Sequence, residues 1–244
     1  MSTIYAISVL GSLILIPLLV SIVIILYVWY RDKYEREPLL LVLTMFIWGA
    51  TSAVFMAIIL EYLSIYYMLF IIPPEIASTL SAVIIAPIVE EYAKGRGIMF
   101  IQNSEEYDGM MDGIVYGVAI GAGFGFTENV LYGLDALVFM GLLAAILTIV
   151  LRSSLEIAGH PFYTSWIGSE VGLEKKYGIG GFSKGYLAAV VFHAIWNSIA
   201  LIGTVNELLS FCLLIIVVFI YVSMFRKRIR MALKYERKEA LLET

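Results

Sequence analysis

A single cysteine, Cys212, leaves no partner for an intramolecular disulfide, and a disulfide-stapled scaffold is excluded. Charge is also scarce: charged residues make up 15% of the chain, against about 25% in an ordinary soluble domain. The net charge of −4 offers no basic surplus for nucleic acid. No polar stretch is long enough for a separate soluble domain, and there is no internal repeat or low-complexity tract. Several catalytic signatures are missing too. No HExxH helix or Cys/His knuckle is present. Ser153, Ser154, Ser165 and Ser198 lack a Ser-His-Asp context. The glycines near 121–125 follow no strand, which excludes a dinucleotide fingerprint.

Long apolar segments are what the chain has in quantity. Hydrophobic residues make up 61% of it, and mean hydropathy is +0.92. A span needs about 20 mostly apolar residues. Seven such stretches occur, near 4–30, 39–60, 75–94, 113–133, 136–157, 185–203 and 207–225. The expected fold is an all-α, polytopic transmembrane bundle, one domain over 1–225 followed by a basic tail over 226–244. In that tail Met231, Leu233, Tyr235 and Leu241 alternate with basic residues, which suits a stop-transfer anchor or a helix lying on an anionic leaflet. The first stretch carries no Lys or Arg before residue 8 and is too long for a signal core, so it reads as a retained span with its N-terminus outside. Four glycines between Lys176 and Gly185 mark a mobile loop.

Seven alternating spans place all 16 Lys and Arg residues on one side, from Arg31, Lys33 and Arg36 through to the tail. The opposite loops, near 61–74, 134–135 and 204–206, contain none. The positive-inside rule puts the basic side, and the C-terminus, in the cytoplasm of a cell-membrane protein.

Against this background Glu90, Glu91, Glu128, His160 and His193 stand out. An ionisable group at bilayer depth costs roughly 2.5–3.5 kcal/mol on insertion scales and marks a functional interior by default. On a helix, Glu90 and Lys94 share a face while Glu91 points about 100° away. Two crowded carboxylates beside one lysine cannot both ionise cheaply, an asymmetry that suits a general base paired with a general acid. Glycines at 113, 117, 121 and 125 form a bare helix face for close packing. That face leads to Glu128 and Asn129, the latter read as an orienter. Arg152, Glu156 and His160 recur at four-residue spacing, with Arg152 and Glu156 expected to neutralise each other and Pro161 expected to end the helix at His160. In the sixth span His193 and Asn197 lie one turn apart. Counted from Gly113 at 1.5 Å per residue, Glu128 lies about 22 Å deep, whereas Glu90, Glu91 and His160 fall near the basic ends of their spans. A later span start or a helix break is needed to bring Glu128 to the others, around a cavity expected to open to the basic side.

Four motifs in this order resemble the PrsW family of intramembrane proteases, relatives of the CAAX prenyl endopeptidases. They are Glu90-Glu91-x-x-Lys94, Phe124-x-x-x-Glu128-Asn129, His160-Pro161-Phe162-Tyr163-Thr164 and His193-x-x-Trp196-Asn197. Asp32-x-x-Glu35-x-Glu37-Pro38 and Asp112-Gly113 resemble connecting segments of that family. The resemblance implies a CAAX-protease-like helical core and hydrolysis of a peptide bond in a membrane-associated protein substrate. It implies that Glu90 or Glu91 activates water while His193 and Asn197 stabilise the oxyanion, with Lys94, Asn129, Arg152 and Trp196 in support. Where CAAX enzymes have histidine in the second motif, this chain has Glu128. Glu90, Glu91, Glu128, His160 and His193 supply enough ligands for a divalent metal such as zinc, and a metal-free glutamate mechanism uses the same residues. Buried Glu/His chains also serve proton-coupled transporters and channels, but four unlike motifs without inverted repeats argue against one. A non-catalytic scaffold of the same fold is the remaining alternative.

Overall fold

The computed structural model describes residues 3–241, with residues 242–244 of the expected tail and the first two residues of the expected N-terminus lying outside the described residues. It is helical throughout: α1 (Thr3–Trp29), α2 (Leu39–Trp48), α3 (Val54–Met68), α4 (Pro74–Leu80), α5 (Ala86–Ile101), α6 (Met110–Met140), α7 (Leu142–Leu155), α8 (His160–Tyr177), α9 (Phe182–Ile202) and α10 (Glu207–Ala240). Two joints are π-helical, Gly49–Ala53 between α2 and α3 and Ser81–Ile85 between α4 and α5. Counting joined pairs as one, seven helices among the described residues are long and apolar enough to cross a membrane. Large apolar side chains such as Leu40, Phe55 and Leu143 are exposed on their outer faces, as a hydrocarbon surround requires.

Pro87 accounts for the second π joint. It has no N–H to donate to the carbonyl one turn back, and its ring crowds that turn. A widened turn just before it absorbs the misfit. Side chains from neighbouring helices capture carbonyls of both joints: Thr127 Oγ1 donates to Ala50 O at 2.8 Å, and Asn197 Nδ2 to Ala82 O at 2.9 Å.

α6 is the central helix, with 72% of its apolar window buried against 17–33% in the other six. The glycine face explains its place. A side chain at Gly113, Gly117, Gly121 or Gly125 would collide with Gly168, Thr164/Ser165, His160/Pro161 or Glu156, respectively. The two series run in opposite directions, so α8 and the turn before it lie antiparallel against α6 with backbones touching. The close packing expected of these glycines is thereby present, and its partner is the segment that starts at His160. Phe162, Phe192, Tyr221 and Phe225 then tie α8 to α9 and α10. α10 continues unbroken past residue 226, and buried Arg228 donates to Ser169 Oγ at 2.9 Å and Glu170 Oε1 at 2.6 Å.

Several boundaries differ from expectation. The third span runs to Ile101 and the fifth to Tyr177, far beyond residues 94 and 157. Their polar ends look like loop in one dimension, but Lys94, Ser165, Ser169 and Glu170 are buried against other helices. The glycine-rich loop shrinks to residues 178–181, where Gly178, Gly180 and Gly181 take positive φ.

Candidate active site

The depth conflict disappears with these boundaries. Glu90 lies eleven residues from the end of α5, His193 eleven from the start of α9 and His160 seventeen from the end of α8. At 1.5 Å per residue each sits roughly 16–26 Å along its helix from the basic side. Glu128 meets them there on an unbroken α6. No break is needed in α6, because the break is in the other partner. α7 stops at Leu155, a 3-10 turn covers Glu156–Ala158, and α8 begins at His160 with Pro161 in its first turn. Pro161 thus starts a helix, where its missing N–H costs nothing, rather than ending one.

Because the helix is interrupted, Arg152, Glu156 and His160 share no continuous face. Arg152 does not neutralise Glu156 as expected. Its Nη2 donates to Glu128 Oε2 at 2.6 Å and its Nε to Asn129 Oδ1 at 2.8 Å. Glu156 accepts from Asn129 Nδ2 at 3.0 Å. Asn129 is therefore a relay between Arg152 and Glu156, with both ends of its amide used.

Lys94 organises the centre. Fully buried, its Nζ lies 2.6 Å from Glu91 Oε1, 2.8 Å from His160 Nδ1 and 3.5 Å from Glu90 Oε2. An ammonium can only donate, so Nδ1 of His160 must accept and its Nε2 carries the proton toward Glu128 Oε2, 2.9 Å away. His193 turns the other way: its Nδ1 lies 3.0 Å from Glu91 Oε1. Glu91 already receives Lys94, so Nδ1 is the donor there and Nε2 faces Glu90 Oε2 at 3.9 Å. Thr164 donates to the second oxygen of Glu91 at 3.4 Å, and Tyr163 stacks on His193 with ring centroids 4.9 Å apart.

Glu91 and Glu128 thus each hold one histidine and one basic side chain. Glu90 sits between the two sets with a buried Oε2 that has no hydrogen-bond partner. It also lines a cavity of about 590 Å³ together with Glu128, His160, His193, Trp196 and Asn197, and Glu91 does not. The cavity wall continues through Ile65, Ser78, Ser81 and Leu201. These residues belong to helix ends away from the basic loops, so the cavity lies in that half and not, as expected, toward the basic side. Glu61 of α3, Tyr132 and Tyr163 also line it. Glu61 falls in the loop expected near 61–74, yet α3 continues through it; the apolar residues on both sides of it, Ile58 to Ile65, are the signal that it belongs to a span.

Comparison with known proteins agrees with the four motifs. The profile of the PrsW family intramembrane metalloproteases matches residues 37–224. The chain belongs to the PrsW family. A protein named Protease PrsW from Geobacillus kaustophilus is 28% identical over 157 residues, covering 64% of this chain and 63% of that relative. A second Protease PrsW, from Oceanobacillus iheyensis, is 28% identical over 186 residues, covering 73% of this chain and 78% of that relative. The chain therefore spans less than two thirds of the Geobacillus protein's length. No solved structure matches it.

The family description names a metal, and the donors present suit one. One ligand atom each from Glu90, His160 and His193 falls within 4.8 Å of the others. Two histidines and one carboxylate with an open side match a catalytic zinc set. Each histidine has its other ring nitrogen on a carboxylate, Glu128 or Glu91, the arrangement that fixes ring orientation in metal sites. Lys94 competes for His160 Nδ1. Glu91 and Glu128, candidates for ligation from sequence, are occupied in orienting the histidines.

Proposed function

We infer that this PrsW-family chain is an intramembrane endopeptidase whose water-activating base is Glu90. The observation that carries the reading is the buried Oε2 of Glu90 on the cavity wall, which accepts no hydrogen bond and has Lys94 only at 3.5 Å, between two histidines each fixed by another carboxylate. Water adds to the scissile carbonyl carbon as its proton passes to Glu90. The C–N bond then breaks as Glu90 returns the proton to the leaving nitrogen. Asn197 spends one amide hydrogen on Ala82 and has a second for the developing oxyanion. His193, held at Nδ1 by Glu91, donates from Nε2 to the same oxyanion when protonated. In its neutral form that nitrogen would hold a metal together with His160 and Glu90, an arrangement that takes Glu90 out of the role of base. The chemistry a zinc ion supplies there is Lewis-acid polarisation of the carbonyl oxygen. Trp196, beside Asn197 on the wall, shapes the space for the peptide.

With the basic loops in the cytoplasm, the cavity lies in the outer half of the bilayer and admits a substrate segment from there. The test is cleavage of co-expressed single-span membrane proteins by wild type, Glu90→Gln, Glu91→Gln and His193→Ala, with and without chelator. Loss in Glu90→Gln and His193→Ala is expected. Cleavage that survives both overturns the assignment, and loss on chelation assigns the metal.

A further inference from the structure

A second buried acidic group lies at the opposite end of the bundle from the cavity mouth and plays no part in the site above. It consists of Asp32, just after α1, Glu37, just before α2, and Asp112, in the first turn of α6. They are 0%, 3% and 6% exposed, and one carboxylate oxygen from each lies within 4.8 Å of the other two. Asp112 is partly satisfied, since its Oδ2 accepts from the Asp108 and Gly109 amides at 2.8 and 2.5 Å. Glu37 accepts from the Tyr116 hydroxyl. Asp32 is the least satisfied: both of its oxygens are buried and neither accepts a hydrogen bond of full geometry, the Tyr34 and Glu35 amides being its nearest donors.

Cations are plentiful nearby in sequence but turned away. The Arg31 guanidinium lies over the Tyr27 ring, and that of Arg36 over Trp29 while its Nε donates to the Asp32 backbone carbonyl. Lys33 is exposed. No Lys or Arg side chain among the described residues forms an ion pair with any of the three carboxylates. Three carboxylates converging out of water with no counter-charge are strongly disfavoured unless something neutralises them. An all-oxygen set from three chain segments is the ligand chemistry of a hard cation.

We propose that Asp32, Glu37 and Asp112 bind a divalent hard cation, Mg²⁺ or Ca²⁺, which fastens the α1–α2 connection to the start of α6. The site is independent of the peptidase reading. It also carries its own reporters: the Trp29 indole donates to the Glu37 carbonyl at 2.8 Å, and the Tyr116 ring, stacked on Tyr107, bonds the Glu37 carboxylate.

The experiment uses the full chain in detergent micelles with Tb³⁺ as probe, exciting the aromatic residues. Saturable micromolar emission is expected, displaced by Ca²⁺ or Mg²⁺, and the more effective competitor identifies the preferred ion. Asp32→Asn and Asp112→Asn should each weaken binding at least tenfold, while Gly11→Ala, where an added methyl meets nothing within 4 Å, leaves it unchanged. Thermal unfolding supplies the second readout. Mg²⁺ or Ca²⁺ should raise the Tm of wild type and not that of Asp32→Asn, which without added cation should be at least as stable as wild type because it lacks a buried unpaired charge. Absence of saturable emission, emission indifferent to both Asn variants, or a Tm indifferent to both cations in wild type overturns the proposal.

Discussion

Glu91 and Glu128 each hold a histidine and a basic side chain, whereas Asp32, Glu37 and Asp112 converge with neither. Both groups are buried, and both join helices distant in sequence. In the first, Lys94 and Arg152 pair with Glu91 and Glu128 from within the fold, while Glu90 and Glu156 each keep one oxygen without a hydrogen-bond donor, and of these two only Glu90 lies between the histidines. In the second, the nearby arginines are spent on aromatic rings and the balance must come from outside the chain. On the proposals above, the first arrangement serves chemistry and the second serves binding.

The largest effect expected from breaking this contrast is on cleavage. Glu90→Gln keeps the shape of the side chain and removes the proposed base, so turnover should fall by about 10²–10⁴-fold while the melting temperature stays within a few degrees. Glu91→Gln should behave in the opposite order. Lys94 is wholly buried and would lose the charge of its 2.6 Å partner, keeping only Glu90 at 3.5 Å. Stranding such a charge costs about 3–5 kcal/mol, to be read from thermal unfolding before any activity is measured. If the two variants proved equally stable and equally inactive, the division of labour between the adjacent glutamates would be wrong.

That division was not legible in the sequence, although the pair itself was. Glutamate and histidine inside apolar runs are conspicuous because each costs insertion energy, and Glu90, Glu91, Glu128, His160 and His193 do meet in space. Which glutamate faces the cavity depends on α5's rotation against α8 and α9, and no periodicity in α5 records it. Depth was misjudged for a related reason. Hydropathy detects contact with lipid, and the ends of α5 and most of α8 contact protein instead. Residues such as Ser165, Ser169 and Glu170 therefore read as loop while lying inside the bundle. Glu61 was missed because it falls near the end of a run that α3 in fact continues to Met68.

The glycine ladder sets the geometry of the first group, and disturbing it tests how exacting that geometry is. A methyl at Gly121 would strike the His160 carbonyl oxygen, which is backbone and cannot swing aside. Gly121→Ala should cost about 1–3 kcal/mol by overpacking and shift His160 from Glu128, lowering cleavage even in molecules that fold. Gly11→Ala, where an added methyl meets nothing within 4 Å, is the control. Equal stability and activity in the two variants would show that α6 and α8 can separate without harm to the site.

The smallest effect concerns the acidic group, and its sign distinguishes it from the first. Burial, and next the charge of Asp112, push the Asp32 carboxyl up from 3.8 to about 6. Burial and the same neighbour push Glu37 up to about 10. A carboxyl raised in the folded state holds its proton more tightly there than in the unfolded chain. Its contribution to stability is complete below the unfolded value and lost as pH rises through the folded one. In chelator, wild type should therefore lose stability from about pH 4 through 6, with a further gradual loss toward 10 from Glu37. A bound cation must displace those protons, so its stabilisation grows with pH instead. Melting curves between pH 5 and 8 should fall with pH in chelator and flatten or rise in millimolar Mg²⁺ or Ca²⁺, with each kcal/mol appearing as about 2–4 °C. Asp32→Asn should remove the lower part of the slope in chelator and leave the contribution of Glu37. Identical slopes in chelator and cation would mean that protons alone settle the charge of these acids, in contrast to the lysine and arginine that settle it around Glu90.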